Sequence, residues 1–157
     1  MVLREALPVD TPAIARLYRI LVPTDRQIEV APDRIGEIAA DPNNFLFVLD
    51  AGGAVVATAF VTLCLDPMYG FLPYAVLENL IVDPDRRRQG CGRRLMNAIE
   101  EICWRHRCTK MMLFSSVSRT AAHRFFSEMG FSCEKKAAFV KYRRHAYDPT
   151  CSPRPQP

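Results

Sequence analysis

The stretch that decides the fold is Val82-Asp83-Pro84-Asp85-Arg86-Arg87-Arg88-Gln89-Gly90-Cys91-Gly92-Arg93-Arg94-Leu95. It joins an apolar segment that reads as a strand to an amphipathic segment that reads as a helix. Glycines at 90 and 92 let the backbone approach a ligand closely, and the first turn of a helix presents unpaired N–H groups at the positive end of its dipole. The arginines add fixed positive charge that suits phosphate oxygens. The sequence therefore predicts a phosphate-binding loop.

Three kinds of phosphate loop can be compared with this stretch. A nucleoside-triphosphate loop needs Lys followed by Ser or Thr after its last glycine, whereas Gly92 is followed by two arginines. A dinucleotide loop needs a third glycine where Leu95 stands. What remains is Arg87-Arg88-Gln89-Gly90-Cys91-Gly92, which resembles the [QR]-x-x-G-x-[GA] pyrophosphate loop of the GNAT superfamily of acetyl-coenzyme A dependent N-acetyltransferases.

Two further segments, in the same order as in that family, strengthen the resemblance. Ala122-His123-Arg124-Phe125-Phe126-Ser127-Glu128-Met129-Gly130-Phe131 resembles the second signature, A-x-x-F-Y-x-x-x-G-F. Upstream, Leu77-Glu78-Asn79-Leu80-Ile81-Val82-Asp83-Pro84 resembles the strand that enters the loop. The resemblance implies an α/β fold with a mixed central sheet of six or seven strands and about four flanking helices. It implies one N-acetyltransferase domain over residues 1–145, and the prolines of residues 146–157 predict a disordered tail.

Hydrophobic periodicity and turn signals predict the individual elements. Strands are expected near 2–6, 45–49, 55–65, 74–82 and 110–115, with two closing strands near 131–134 and 137–143. Helices are expected from Asp10-Thr11-Pro12, from Pro32 to about 41, from about 90 to 106 and from about 119 to 129.

Composition excludes several classes of protein. The chain has 157 residues, of which 49% are hydrophobic and 24% charged, as expected of one globular domain. No apolar run reaches the roughly 18 residues of a membrane span and no signal peptide is seen, so a cytoplasmic protein without a membrane partner is expected. The net charge of +4 comes from the loop: without its five arginines, 16 basic residues face 17 acidic ones. A local charge favours one anionic ligand over nucleic acid.

The six cysteines are scattered and show no paired spacing, so we expect reduced thiols. Cys103, His106 and Cys108 lie close together in sequence, but no second cluster completes a metal site. No metal is therefore expected.

The family resemblance assigns residues to acetyl-coenzyme A. The backbone of Leu80, Ile81 and Val82 would orient the pantetheine arm, and an N–H near Leu80 would stabilise the oxyanion. The pyrophosphate would lie on the loop from Arg87 to Arg93. The residues implied in this loop are Arg87, Arg88, Gln89, Gly90, Cys91, Gly92 and Arg93. Arg119, which stands where asparagine is frequent, and Phe126 complete the expected coenzyme contacts.

Glu78 interrupts an apolar run in a strand expected to be covered on both faces. A carboxylate there is costly unless it has a partner or a task. One interpretation is a pair with a nearby arginine. The other is a general base, since an alkylamine with a pKa near 10 is mostly protonated at neutral pH and must lose a proton before it attacks a thioester.

Phe126 departs from the family pattern, in which tyrosine commonly stands here and protonates the departing thiolate. Phenylalanine cannot do so. A thiol with a pKa of about 8.5 leaves as thiolate at neutral pH for a penalty of only about 2 kcal/mol, so water, Tyr69 or Tyr74 could serve instead.

The function expected from these residues is acetyl transfer from acetyl-coenzyme A to a primary amine by direct attack in a ternary complex. A small-molecule amine is the first choice, because the loop from Met68 to Tyr74 could form an aromatic wall. A peptide or protein amine and a non-catalytic coenzyme A-binding module are the alternatives. The oligomeric state is open, a homodimer included.

Overall fold

A computed structural model describes residues 1–134 and 136–140. The elements of this part of the chain are β1 (Val2–Glu5), α1 (Thr11–Leu21), α2 (Pro32–Ala40), β2 (Asn44–Asp50), β3 (Val55–Cys64), β4 (Tyr74–Val82), α3 (Cys91–Arg105), β5 (Met111–Leu113) and α4 (Thr120–Glu128). Short 3-10 turns precede α1, β4 and α3, at Pro8–Asp10, Pro67–Tyr69 and Pro84–Arg86. The predicted helices and the first five predicted strands are all present, with ends that differ by a few residues.

The five strands form one sheet in the order β1-β2-β3-β4-β5. The first three pairings are antiparallel, and β5 is parallel to β4. A parallel neighbour requires a crossover, and α3 provides it between these two strands. The α/β class with a mixed sheet is thus confirmed.

The number of strands in the described residues is lower than the six or seven expected. Residues 131–134 and 136–140 form no strand, so the prediction of strands over these residues is wrong. The reason is that apolar residues such as Phe139 and Val140 favour a strand by pattern, yet a strand needs a partner, and both side chains are exposed. The rest of the second predicted strand, residues 141–143, lies outside the described residues, as does the end of the predicted domain with its tail.

The sheet separates two hydrophobic layers. One face packs on α3 through alternate residues of β3 and β4, among them Ala59, Val61, Ala75 and Leu77. The opposite face packs on α1 and α2 through Val48, Ile81 and their neighbours, against Ile14, Leu17 and Ile35 of the helices. Since successive side chains of a strand point to opposite faces, this division gives the direction of the side chains wherever the pairing of the central strands is regular.

Local signals explain where these elements begin and end. The β2–β3 hairpin turns through Gly52 and Gly53, both at positive φ, and the Asp50 carboxylate accepts a hydrogen bond from the Gly53 N–H at 2.7 Å. Among the described residues no helix is long and apolar enough to cross a membrane.

Candidate functional site

Strand β4 carries an extra residue opposite β3. Thr58 pairs with Ile81 and Phe60 pairs with Glu78, so two residues, Asn79 and Leu80, stand opposite the single residue Ala59. Asn79 has a φ of 54°, in the left-handed region that asparagine tolerates better than most side chains. The extra residue is a β-bulge, a feature that bends a strand and often lies next to active sites.

On the edge of β4 opposite β3, the strand separates from β5 close to the bulge. The parallel pairing runs only from Ala75 to Leu77, against Met111 to Leu113. Beyond Leu77 the edge of β4 has no strand beside it in the described part of the chain. Unpaired N–H and C=O groups therefore line a gap between the two strands.

Hydrogen bonding shows which backbone groups face this gap. The Asp83 N–H donates to the Val56 carbonyl of β3 at 2.8 Å, so by alternation Ile81 also turns its N–H and C=O toward β3. Leu80 and Val82 turn theirs the other way, and the Val82 carbonyl accepts a hydrogen bond from Arg87 Nε at 3.3 Å. Of the three predicted backbone contacts, Leu80 and Val82 face the gap and Ile81 does not. The side chain of Ile81 is buried, as expected.

The loop after β4 leads into α3 through two residues at positive φ, Arg88 at 59° and Gly90 at 79°. Gly90 is the N-cap of α3 and contributes no side-chain cap. The first helical hydrogen bond runs from Arg94 N–H to the Gly90 carbonyl at 3.0 Å, which leaves the N–H groups of Cys91, Gly92 and Arg93 without a helical acceptor. These free amides and the helix dipole favour an anion at this end of α3.

Acidic residues fix the shape of the loop from its start. Asp83 forms an ion pair with Arg16 of α1 at 2.7 Å and accepts a hydrogen bond from the Asp85 N–H at 3.1 Å. The guanidinium of Arg16, with this backbone hydrogen bond, holds the pKa of Asp83 below its usual value. Gln89, a predicted coenzyme contact, donates a hydrogen bond from Nε2 to the Asp85 carbonyl at 3.1 Å. Its side-chain amide is therefore already bonded within the loop.

Several arginines around the loop lack acidic partners. Arg93 lies 3.8 Å from Glu128, but neither Arg87 nor Arg88 forms an ion pair within residues 1–134 and 136–140. Arg119 is the N-cap residue of α4, and the pKa of its guanidinium is lowered by burial and by the charge of Arg87. Two like charges close together are unfavourable until an anion joins them. The arrangement therefore suits a ligand with several negative charges.

Gly92 is constrained by packing as well as by its place in the loop. A Cβ at this position would lie 3.2 Å from the ring of Phe125 in α4. The Cys91 side chain is buried beneath the loop, so only its backbone can meet a ligand. Phe126 is 9% exposed and packs against Phe125 and Phe131, with ring centroids at 5.4 and 6.0 Å.

The structure corrects the expected burial of Glu78. Its side chain is exposed: it lies on the face of β4 that packs on α1 and α2, and the described residues leave the carboxylate uncovered there. The interpretation of a buried pair with arginine does not hold for the described residues, where Glu78 forms no ion pair. Directly paired residues share a face of the sheet, so Glu78 lies on the same face as Phe60.

Tyr69 and Tyr74 lie at the other end of the strand. Tyr74 begins β4, four residues before Glu78, a separation of about 13 Å along an extended strand. Its ring faces Lys110, whose Nζ is 4.7 Å from the centroid, and the neighbouring Cys64 raises the pKa of its hydroxyl. Tyr69 lies in the 3-10 turn before β4 and is half exposed. The structure does not bring these phenols to Glu78.

Tyr18 of α1 reaches this region and was not among the predicted site residues. Burial raises the pKa of its hydroxyl to about 12; the nearby Thr58 and Asn79 side chains oppose this rise, and the charge of Glu78 adds to it. The phenol thus lies beside the bulge. One sequence signal existed: Tyr18 follows Ile14 by four residues and so shares its inward face.

A cavity of about 210 Å³ opens beside Tyr18, between α1, α2 and the sheet. Its lining is formed by Ile14, Tyr18, Glu29, Val30, Ala31, Arg34, Ile35, Ile38, Leu46, Phe60 and Asn79. Leu46, Phe60 and Glu78 form one row across β2, β3 and β4, which places the Glu78 carboxylate on the face that bears the cavity.

The aromatic wall expected from the loop between β3 and β4 is not formed. Met68, Tyr69 and Phe71 are exposed, and no residue of this loop lines the cavity beside Tyr18 or the larger one around Arg4 and Arg16. The loop follows the far end of β3, away from the bulge. In the described ranges no group of three His, Cys, Asp or Glu side chains is placed to hold a metal ion.

Comparison with known proteins agrees with this geometry. The model of the acetyltransferase (GNAT) family matches residues 12–131. No curated protein sequence matches the chain significantly. A solved structure from Agrobacterium tumefaciens str. C58, assigned to the acetyltransferases, is 29% identical with a TM-score of 0.80, covering 90% of this chain and 100% of that one.

Two more distant structures share the fold. Glucosamine-6-phosphate N-acetyltransferase from Arabidopsis thaliana is 21% identical with a TM-score of 0.77, over 90% of this chain and 97% of that one. An aminoglycoside acetyltransferase from an uncultured soil metagenomic sample is 17% identical with a TM-score of 0.77, over 90% of this chain and 94% of that one.

The bulged and splayed β4, followed by an arginine-rich loop at a helix N-terminus, defines an acyltransferase fold. The chain belongs to the GNAT family of acetyltransferases.

Proposed function

We propose that this protein transfers the acetyl group of acetyl-coenzyme A to a primary amine of a small molecule, in a ternary complex. One observation carries the proposal. The gap between β4 and β5 extends from the level of the bulge to the N-terminus of α3, and the cavity opens beside the bulge. A coenzyme and an acceptor could thus meet at Leu80 and Glu78 from opposite sides of β4.

The coenzyme half uses charge and free amides. Its pyrophosphate would accept hydrogen bonds from the N–H groups of Cys91, Gly92 and Arg93, and Arg87, Arg88 and Arg119 would supply positive charge. The pantetheine arm would lie along the exposed edge of Leu80 and Val82. Backbone hydrogen bonds of this kind continue a strand and so hold the thioester at the bulge.

The transfer step needs a neutral amine and a stabilised oxyanion. Glu78 would take a proton from the acceptor ammonium, directly or through water, and the freed nitrogen would attack the thioester carbonyl. The Leu80 N–H would donate a hydrogen bond to the oxygen as negative charge develops. Glu78 would pass this first proton to solvent. The C–N bond forms, the C–S bond breaks, and Glu78 would then take the second proton of the nitrogen and release it to solvent, from which the thiolate is protonated.

The departing thiolate needs a proton or must leave without one. Phe126 offers none, while Tyr18 carries a hydroxyl beside the bulge whose pKa is raised to about 12. Such a phenol remains protonated throughout the neutral range, so it would donate a hydrogen bond to the departing thiolate, and solvent would supply the proton that completes the thiol. Tyr69, Tyr74 and water are the other donors.

Turnover with a panel of amines tests this function. The purified chain with acetyl-coenzyme A should release free thiol only when a suitable primary amine is added, and calorimetry should show coenzyme binding without one. Gly92→Asp should weaken coenzyme binding strongly, because it brings a negative charge to the proposed phosphate site. Gly92→Asn has nearly the same shape but no charge, so it should weaken binding less.

The non-catalytic alternative is favoured by Phe126 and gives a different result. A binding module would show a coenzyme complex but no thiol release with any amine. A peptide acetyltransferase would turn over lysine peptides in preference to small amines. Unchanged coenzyme affinity in Gly92→Asp would refute the assignment of the loop.

A further inference from the structure

The cavity beside the bulge is lined mainly by hydrocarbon. Seven of its lining residues are apolar: Ile14, Val30, Ala31, Ile35, Ile38, Leu46 and Phe60. Tyr18 and Asn79 provide polar groups where the cavity approaches Glu78. Of the residues described around it, Glu29 alone carries a carboxylate, and Arg34 alone a guanidinium.

These two charges are exposed and belong to the α2 side. Glu29 precedes α2, and Arg34, in its first turn, already forms an ion pair with Glu37 at 3.1 Å. Exposed pairs of this kind add little binding energy. We therefore expect the apolar walls, rather than Glu29 and Arg34, to determine which ligand binds in the cavity.

The size of the cavity limits the ligand further. Its volume of about 210 Å³ is smaller than the range of about 300–1,000 Å³ typical of sites for drug-sized ligands. A multi-ring amino sugar would exceed this volume and extend out of the cavity. Its hydroxyl and ammonium groups would also lose hydration against Ile35, Ile38 and Leu46 without gaining partners, which is costly.

We propose that the acceptor is a compact primary amine carried on an apolar body, a short alkyl chain or a single ring, that lies in this cavity with its nitrogen toward Asn79 and Glu78. The inference rests on the proposed acetyl transfer and narrows its acceptor class. Apolar contact with the walls supplies affinity, and the polar end at the bulge orients the nitrogen. Sugar amines, polyamines and peptide amines are then poor acceptors.

Selectivity between simple amines tests the proposal. With saturating acetyl-coenzyme A, kcat/KM for 2-phenylethylamine should exceed that for glucosamine, spermidine or a lysine peptide by tenfold or more. A preference for any of the three polar acceptors would overturn the proposal and leave acetyl transfer standing.

Two variants of the wall locate the acceptor body. Ala31→Trp adds a large side chain at the cavity lining and should raise KM for 2-phenylethylamine by about tenfold, with the affinity for acetyl-coenzyme A unchanged. Ala39→Trp is the matched control, because Ala39 is an exposed residue of α2 outside the lining. Ile38→Ala enlarges the cavity and should shift preference toward 4-phenylbutylamine. If neither lining variant changes amine selectivity, the acceptor body lies elsewhere.

Direct binding separates failure of the acceptor class from failure of the reaction. Calorimetry of the coenzyme A complex with 2-phenylethylamine should show binding that Ala31→Trp weakens and Ala39→Trp does not. Binding without turnover of any amine would refute acetyl transfer but support the apolar site. Turnover of other amines without binding of 2-phenylethylamine would support acetyl transfer and refute the apolar site. If the protein neither binds 2-phenylethylamine nor turns over any amine, acetyl transfer and the apolar site are both refuted.

Discussion

Gly92 of α3 and Phe125 of α4 fit together so closely that a Cβ on the glycine would lie 3.2 Å from the aromatic ring. The contact joins the first motif of the family to the second. The glycine nearest the proposed phosphate site is thereby also part of the packing between two helices.

Gly92→Ala should consequently destabilise the fold, although alanine is the better helix former. The crowding should exceed the gain in helix propensity of about 1 kcal/mol, because overpacking costs about 1–3 kcal/mol. In a Phe125→Leu background the same substitution should cost less, since leucine removes the ring that the new methyl meets. Thermal or denaturant unfolding of the four proteins gives the coupling energy. Strictly additive effects would mean that the ring moves away freely.

Glu78→Gln should reduce kcat by about 10² at neutral pH and leave the affinity for acetyl-coenzyme A unchanged. The amide retains the shape of the side chain but cannot take a proton. Activity should recover in part at high pH, where the amine is already neutral. Glu101→Gln, on the exposed surface of α3, is the control. Equal pH–rate profiles for wild type and Glu78→Gln would exclude a role as base.

Tyr18→Phe should lower kcat by about tenfold. The loss should stay below a factor of roughly 10², which corresponds to the penalty of about 2 kcal/mol for releasing a free thiolate. Its raised pKa of about 12 keeps the hydroxyl protonated between pH 6 and 9, so the loss should be independent of pH over that range. Tyr74→Phe and Tyr69→Phe should change kcat little, because both lie before β4 reaches the bulge. A larger loss in either of these two would move the proton donor to that residue.

Phe126→Tyr should raise kcat by less than tenfold if thiolate departure contributes to the rate. The new hydroxyl would restore the family's donor, but Tyr18 or water already serves in part. The variant's binding of acetyl-coenzyme A is measured alongside turnover. Loss of most activity with coenzyme binding intact would show that this ring packs away from the thioester, and the assignment of the second motif would be withdrawn.

Asp10→Asn should lower stability at neutral pH. The Asp10 carboxylate accepts hydrogen bonds from Arg4 at 2.7 and 2.9 Å and from the Leu7 N–H at 2.7 Å, and hydrogen bonds to charged groups are worth about 1.5–3 kcal/mol each. Arg4 holds the pKa of Asp10 below its value in the unfolded chain. This contribution is thus complete above the unfolded pKa and disappears as the pH falls through the folded one.

The unfolding free energy of Asp10→Asn should accordingly fall less steeply than that of the wild type below about pH 4, near the unfolded pKa. Asp33→Asn, at an exposed position of α2, controls for the loss of one charge. Parallel pH curves for wild type and Asp10→Asn would argue against the Arg4 pair.

The elements of this fold could largely be predicted from the sequence because their signals are local. The loop from Arg87 to Gly92 combines charge, glycine and the start of a helix within a few residues. Ile14 and Leu17 of α1, and Ile35 and Ile38 of α2, are spaced by three residues as on one face of a helix, and Ile14, Leu17 and Ile35 are buried. The closing strands could not be predicted in the same way, since a strand is completed by a distant partner.

The parts of the site that sequence reasoning missed depend on contacts between distant segments. Glu78 reads as buried because apolar residues surround it in sequence, whereas its exposure depends on how α1 and α2 pack on that face of the sheet, where a cavity remains. Tyr18 is 60 residues away from Glu78 in sequence and lies near it because α1 packs on β4. The crowding of Gly92 by Phe125 likewise has no signal in either motif alone.

The bulge at Asn79 divides β4 into two segments whose side-chain alternation is out of phase. Before it, Ala75 and Leu77 face α3; after it, Leu80 and Val82 face α3 and Ile81 faces α1. If side chains alternated regularly through Asn79, Leu80 and Val82 would point toward α1 and Ile81 would leave its core. Deleting Asn79 would instead remove the bulge and leave these directions unchanged. In the proposed function, the segment before Asn79 carries Glu78 on the acceptor side and the segment after it carries Leu80 and Val82 on the coenzyme side. Substitutions in the two segments should therefore act on different substrates.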